Sequence, residues 1–206
     1  MNFNQLANEW DDARRIKRAA TLSGVIMDEL PEKKFQCGLE FGCGTGLISC
    51  NLQHRFEKLH CIDNADAMID IVKQKIEQLC LSHCFAHCAD LSQENIFFDK
   101  KIKFDCIFTS MALHHVVDTD GIISRFYSLL DDDGLLVIID LDSEDGTFHQ
   151  SEVGFEGHNG FDRLALEQIL YKNNFKQICF KTAYTGGKMI EGREVSYSLF
   201  ICIAKK

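Results

Sequence analysis

From residue 36 onward the chain alternates short apolar runs with amphipathic stretches, and this alternation restricts the fold more than any other feature. CGLEF (37–41), LHCID (59–63), CFAHCAD (84–90), FDCIFTS (104–110) and GLLVIID (134–140) read as strands. The segments 45–54, 65–79 and 122–130 between them read as helices. Strands interleaved with helices predict a parallel sheet, and short continuous apolar strands suit a sheet covered on both faces. The end of the chain differs. A helix with Leu164, Leu166, Ile169 and Leu170 on one face (163–173) precedes FKQICFKTAY (175–184) and VSYSLFICIA (195–204), with a loop containing Gly186 and Gly187 between these runs. Without a helix between them, the last two strands should pair antiparallel. The expected fold is α/β, a doubly wound seven-stranded sheet of five parallel strands plus a C-terminal antiparallel hairpin. A helix over 14–30, stopped by Pro31, and the preceding FNQLANEW make 1–34 an N-terminal helical arm on a single domain, 1–206. Residues 141–161 show no sustained period. A segment of that length beside the sheet edge reads as a lid or acceptor loop.

Charge and cysteine usage exclude several classes. The chain has 22 basic and 31 acidic residues, a net charge of −9. Such a balance argues against nucleic acid or an anionic membrane as partner, since both require a basic face. No apolar run approaches the ~20 residues that span a bilayer. The polar, acidic MNFNQLANEWDD reads as no signal peptide, so a cytoplasmic protein is expected. All ten cysteines are then read as reduced thiols, with Cys61, Cys106, Cys179 and Cys202 inside apolar strand runs. The run Cys80, His83, Cys84, His87 and Cys88 has a spacing suggestive of zinc. The helix should end near Cys80 and a strand begin near Cys84, which turns Cys84 and Cys88 together into the core, so no metal is expected. Arg14, Arg15, Lys17 and Arg18 read as a solvated helix face or as partners of local acids.

The strongest chemical signal is Glu40-Phe41-Gly42-Cys43-Gly44-Thr45-Gly46, where a strand turns into a helix. Glycines there permit a tight turn and close approach of a ligand, and the helix start offers free N–H groups. The spacing is G-x-G-x-G, not the G-x-G-x-x-G of dinucleotide binders. Glu40 would repel a pyrophosphate and favour a ligand with positive charge. Asp63, 21 residues after Gly42, ends the second strand where an acid can bind ribose hydroxyls. Asp90 ends the third strand, Thr109 and Ser110 the fourth, and Asp140 the fifth. Glu40, Asp63, Asp90, Ser110 and Asp140 therefore gather at the carboxyl edge of the sheet, where open α/β sheets bind ligands.

LEFGCGTG, CIDNADAM, CADL, FTSMALHHVVD and LLDDDGLLVIIDLD, in that order, resemble the class I S-adenosylmethionine-dependent methyltransferases, in the branch that includes the ubiquinone/menaquinone-biosynthesis enzymes. The resemblance covers about residues 36–142, and the terminal hairpin fits that Rossmann-like fold. It implies S-adenosyl-L-methionine as cofactor. Gly42, Gly44 and Gly46 would face its methionine part, flanked by Glu40 and Cys43. Asp63, with Asn64 beside it, would hold the ribose, Met68 would lie near the adenine, Asp90 and Leu91 would meet its edge, and Ser110 would lie near the amino group. Where the family often has Pro-Gly-Gly before the fifth strand, this chain has Asp131-Asp132-Asp133-Gly134. In related enzymes the arm folds over the cofactor, and core packing is an equal account of Trp10.

The resemblance implies methyl transfer, with the protein supplying position and orientation. The expected acceptor is a small molecule, and no oligomeric state is specified. His114 and His115, after the fourth strand, and His149 and His158, in 141–161, are the candidates for catalytic or acceptor contacts. Their alternatives are a helix-start packing residue for the first pair and a solvated polar loop for the second. Two rival readings are a nicotinamide-dependent oxidoreductase, disfavoured by the glycine spacing and Glu40, and a non-catalytic cofactor-binding protein.

Overall fold

The computed structural model describes residues 3–91, 102–152 and 154–206. Two helices come first, α1 (Phe3–Leu6) and α2 (Ala13–Glu29), followed by β1 (Gly38–Phe41), α3 (Leu47–Leu52), β2 (Leu59–Asp63), α4 (Asp66–Gln78) and β3 (Cys84–Cys88). The second half runs β4 (Phe104–Ser110), α5 (Thr119–Leu129), β5 (Leu130–Leu141), α6 (Arg163–Lys172), β6 (Lys176–Ile190) and β7 (Arg193–Lys205). The strands form one sheet in the order β3-β2-β1-β4-β5-β7-β6. β1 to β5 pair in parallel, and β7 lies antiparallel to both β5 and β6. The order reverses at β1, so the crevice between β1 and β4 is the switch point at which such sheets bind ligands.

Local chemistry starts the helices, α5 at Thr119, three residues before the 122 that the pattern predicts. Asp12, Asp118 and Asp162 each accept a hydrogen bond from the backbone N–H three residues on, capping α2, α5 and α6. Each cap is worth about 1 kcal/mol. Alternation along the strands then splits the core. Cys106, Phe108, Val137 and Ile139 face α2, α3 and α4 through Leu22, Ile26, Leu52 and Ile69. Ile107, Leu136 and Ile138 face α5 and α6 through Ile123, Phe126, Leu166 and Leu170. Burying each such side chain contributes about 1.5–3 kcal/mol, which holds the strand ends in fixed register.

Three expectations need correction. Gly186 and Gly187 are not in the hairpin loop but inside β6, paired with Tyr197 and Ser196. A Cβ at these glycines would meet the Tyr184 ring at 2.5 Å and Glu194 Oε1 at 2.3 Å, so they are small to admit neighbouring side chains. The reversal falls instead at Glu191 (φ 49°) and Gly192 (φ 78°), the two positive φ angles of a tight hairpin turn. β3 stops at Cys88, short of Asp90. Finally, Cys84 is buried but Cys88 and Cys179 are exposed, because β3 and β6 are the two edge strands. All ten cysteines are unpaired. Among the described residues no helix is long and apolar enough to cross a membrane.

Candidate functional site

The chain leaves β1 at Phe41 and turns over the switch point. Gly42 has φ 64°, and a Cβ built on it would lie 2.3 Å from the Cβ of Ala112 in the turn after β4, so only glycine fits. The Cys43 N–H donates to the Ile62 carbonyl at 3.0 Å, tying the turn to β2. Gly46 (φ 77°) is the left-handed N-cap of α3, which therefore starts at Leu47 rather than at Thr45. It packs toward Val72 and is not on the cleft wall, unlike Gly42, Cys43 and Gly44. The N-terminal arm is latched onto this turn. Asp11 accepts from Thr45 Oγ1 at 2.5 Å and pairs with Lys75 at 2.7 Å, while Lys75 also donates to the Thr45 carbonyl.

Two acids under the turn are held differently. Asp63 accepts from the backbone N–H of Gly44 at 2.8 Å and of Ala65 at 2.9 Å, one bond on each carboxylate oxygen. Burial raises its pKa, and those backbone donors oppose the rise. Each oxygen keeps a lone pair for a further donor. Glu40 is 2% exposed and accepts from Ser49 Oγ. Burial pushes its carboxyl up to about 8, with the Ser49 hydrogen bond pulling the other way. The expectation that Glu40 presents a fixed negative charge thus needs refinement, because in this environment the carboxyl holds a proton near neutrality. A cation brought against it would favour its ionised form.

These groups line one cleft of about 930 Å³. Asn64, Met68, Asp90, Leu91 and Ser110 share its wall with Glu40 and Asp63. The arm covers it with Phe3, Asn4 and Trp10, so Trp10 is a wall residue as well as a packing one. Arg15 and Arg18, read as part of a solvated face, also lie on the wall. Arg15 pairs with Asp12 and stacks over the Trp10 ring at 4.2 Å. The far side of the cleft is walled by Met111, Ala112 and His115 from the turn after β4, and by Gly154, Phe155, Glu156 and Gly157 from 141–161.

Asp140 does not belong with the other strand-end acids. It is fully buried, off the cleft wall, and takes His114 through both its Nδ1 at 2.5 Å and its backbone N–H at 3.2 Å. Since a carboxylate only accepts, His114 Nδ1 carries the proton and Nε2 is its free nitrogen. His115 is the one candidate histidine on the wall. Burial lowers its pKa to about 3, with His114 adding to the shift, so its imidazole is neutral and weakly basic. His149 closes a 3₁₀ turn (Thr147–His149), is 5% exposed, stacks on Phe155 at 3.8 Å, and is lowered by burial to about 4. His158 lies off the wall. Its Nε2 is 3.0 Å from both the Val116 carbonyl and Thr119 Oγ1, and its backbone N–H donates to the His114 carbonyl at 2.7 Å. His158 thus ties its end of 141–161 to the turn after β4.

Sequence reasoning missed the Asp11–Thr45–Lys75 latch, the His114–Asp140 pair and the wall roles of Phe3 and Phe155. Asp11 was visible in NEWDD, but a pair 34 residues apart has no local signature. Histidine and aspartate 26 residues apart become legible only once β4 and β5 are known to be neighbours.

A family model described as a methyltransferase domain matches residues 39–136. An uncharacterised methyltransferase of Schizosaccharomyces pombe is 30% identical over 146 residues, covering 66% of this chain and 51% of its own. A malonyl-[acyl-carrier protein] O-methyltransferase of Bacillus anthracis is 26% identical over 148 residues, covering 68% and 52%. Among solved structures, phosphoethanolamine N-methyltransferase 2 of Haemonchus contortus in complex with S-adenosyl-L-methionine superimposes with a TM-score of 0.72 at 16% identity, over 90% of this chain and 52% of that one. The chain spans about half the length of each of these three proteins. Matching motif order, strand order and relatives make it a member of the class I S-adenosylmethionine-dependent methyltransferase family.

Proposed function

We propose that the protein transfers a methyl group from S-adenosyl-L-methionine to a small-molecule acceptor. The observation that carries this reading is one cleft whose wall joins the glycine turn and its acids to His115 and to Gly154, Phe155, Glu156 and Gly157 of 141–161. The residues present fit the cofactor: Gly42, Cys43 and Gly44 bring backbone to the cleft wall, and Asp63 keeps acceptor lone pairs on a carboxylate beside them. Glu40, Gly42, Cys43 and Gly44 would hold the methionine part, Asp63 and Asn64 the ribose, and Met68, Asp90 and Leu91 the adenine. Ser110 would meet the amino group, and Gly46 would act by setting the start of α3. When bound, the cofactor supplies a methyl group already activated on a sulfonium.

The chain's own contribution is positioning and exclusion of water. His115, neutral and weakly basic, orients the acceptor by hydrogen bonding, and Asp140 fixes His114 behind it. Residues 141–161 serve as the lid, with Phe155 closing the cleft and His149 and His158 holding the segment. The named acceptors of two relatives, a carrier-bound malonyl group and phosphoethanolamine, are both anionic. Arg18 lies on the wall without a carboxylate partner among the described residues, which supports an acceptor with an acidic group. The malonyl relative also supports the branch suggested by sequence. A net charge of −9 disfavours nucleic acid, and ten unpaired cysteines suit a reducing compartment such as the cytoplasm.

The test is turnover. The protein is incubated with S-adenosyl-L-methionine and a panel of small carboxylates, phosphate esters and amines, and S-adenosylhomocysteine is measured. Acceptor-dependent product that falls in Arg18→Ala through a raised KM is expected. Turnover confined to RNA, DNA or protein substrates would contradict the proposal.

A further inference from the structure

The three histidines His114, His115 and His149 form a cluster that the methyl-transfer reading uses only in part. His114 and His115 share the 3₁₀ turn after β4, and His149 comes from the separate segment after β5. Their ring centroids are 4.2, 5.0 and 5.8 Å apart. One nitrogen from each ring lies within 4.8 Å of those of the other two. Stacking on Phe155 accounts for burial of the His149 ring, but not for its Nδ1, which has no hydrogen-bond partner among the described residues. A buried imidazole nitrogen left without a partner is destabilising, and coordination would satisfy it.

We propose that His114, His115 and His149 form a site for one divalent transition-metal ion, zinc foremost, with its remaining coordination position open on the cleft side at His115. Three neutral imidazoles suit zinc, cobalt, nickel or copper and not magnesium or calcium. Three histidines plus one exchangeable position is the arrangement of an open zinc site. Zinc–nitrogen bonds of about 2.0–2.1 Å put tetrahedral ligands about 3.4 Å apart, so side-chain rotations on the order of 1 Å close the cluster. One ligand already has its outer partner. Asp140 holds the His114 Nδ1 proton, which orients the ring and leaves Nε2 to coordinate. Because His149 belongs to 141–161, the ion would also pin that segment to the turn after β4. Methyl-acceptor chemistry is not needed for this site to exist, so it stands or falls apart from the proposed activity.

The full chain, stripped with chelator and desalted, is titrated with Co²⁺ and then with Zn²⁺, following visible absorption and thermal unfolding. The expected result is one Co²⁺ per chain with d–d bands of a nitrogen-ligated ion, no sulfur-to-cobalt charge-transfer band, displacement by Zn²⁺ and a raised Tm. Asp140→Asn should weaken binding roughly 10–100-fold, and His149→Gln at least as much. S-adenosylhomocysteine binding by each variant reports that it has folded. Absence of stoichiometric binding, a thiolate charge-transfer spectrum, or unchanged affinity in folded His149→Gln would overturn the proposal. Should a variant fail to fold, the cobalt spectrum of the unaltered protein decides by itself.

Discussion

The part of the cleft at β1 and β2 and the segment 141–161 on its other side are finished to different degrees. At β1 and β2 the polar groups are held by the protein itself: Asp63 takes two backbone N–H groups and Glu40 takes Ser49. In 141–161, behind the cleft wall, His149 Nδ1, Glu144 Oε1 and Glu152 Oε2 are buried without hydrogen-bond partners among the described residues. The first region is preorganised by backbone that the sheet fixes. The second is made of side chains on a connecting segment, which is where a fold varies its acceptor without disturbing its cofactor.

The largest expected effect strikes the preorganised region. Gly42→Ala places a Cβ against Ala112 and a side chain on positive φ, and should cost about 2–5 kcal/mol of stability in denaturant titration. Retained stability and cofactor affinity would show that the turn is not rigid. The two regions should also differ in the sign of their pH dependence. Glu40 ionises at about 8 in the fold against 4.5 ordinarily, so its stabilisation is complete below about 4.5 and is lost as pH rises toward 8. Glu40→Gln should flatten a decline of up to about 5 kcal/mol across that window. His115 and His149, lowered from 6.5 to about 3 and about 4, stabilise above 6.5 and lose this as pH falls through their folded values. A stability profile with both limbs in the unaltered protein, and only the acid limb in Glu40→Gln, is the expected outcome.

Smaller effects separate binding from closure. Asp63→Ala should weaken S-adenosylhomocysteine binding by about 1.5–3 kcal/mol, as for loss of a charge-assisted hydrogen bond. His158→Ala removes the contact with the Val116 carbonyl and should cost about 1 kcal/mol of stability. It should speed hydrogen exchange in 141–161 while leaving cofactor affinity within about 0.5 kcal/mol. Equal exchange in both proteins would reduce the segment to a plain connector.

What was legible in the sequence follows the same division. β2 and β4 fall at the boundaries that hydrophobic runs predict, and Gly42, Asp63 and Leu91 lie on one wall because strand ends are set by local pattern. The 3₁₀ turn at His149 has no period to betray it, and its burial depends on Phe155 and on β4 being adjacent to β5. Asp140 misled for a related reason. Its place at a strand end was correct, but the pleat turns it to the face of Ile138, where His114 pairs with it. The hairpin turn was misplaced because Gly186-Gly187 carries the stronger composition signal, whereas Glu191-Gly192 has only one residue that favours positive φ.

The central claim is that the β1–β2 part of the cleft holds a cofactor with a positively charged methionine part and not a dinucleotide. Calorimetric titration of the full chain with S-adenosyl-L-methionine, S-adenosylhomocysteine and NAD tests it directly. The account predicts saturable one-to-one binding of the first two, weakened in Asp63→Ala, and no heat of binding with NAD. Saturable binding of NAD with no response to either S-adenosyl ligand would contradict it.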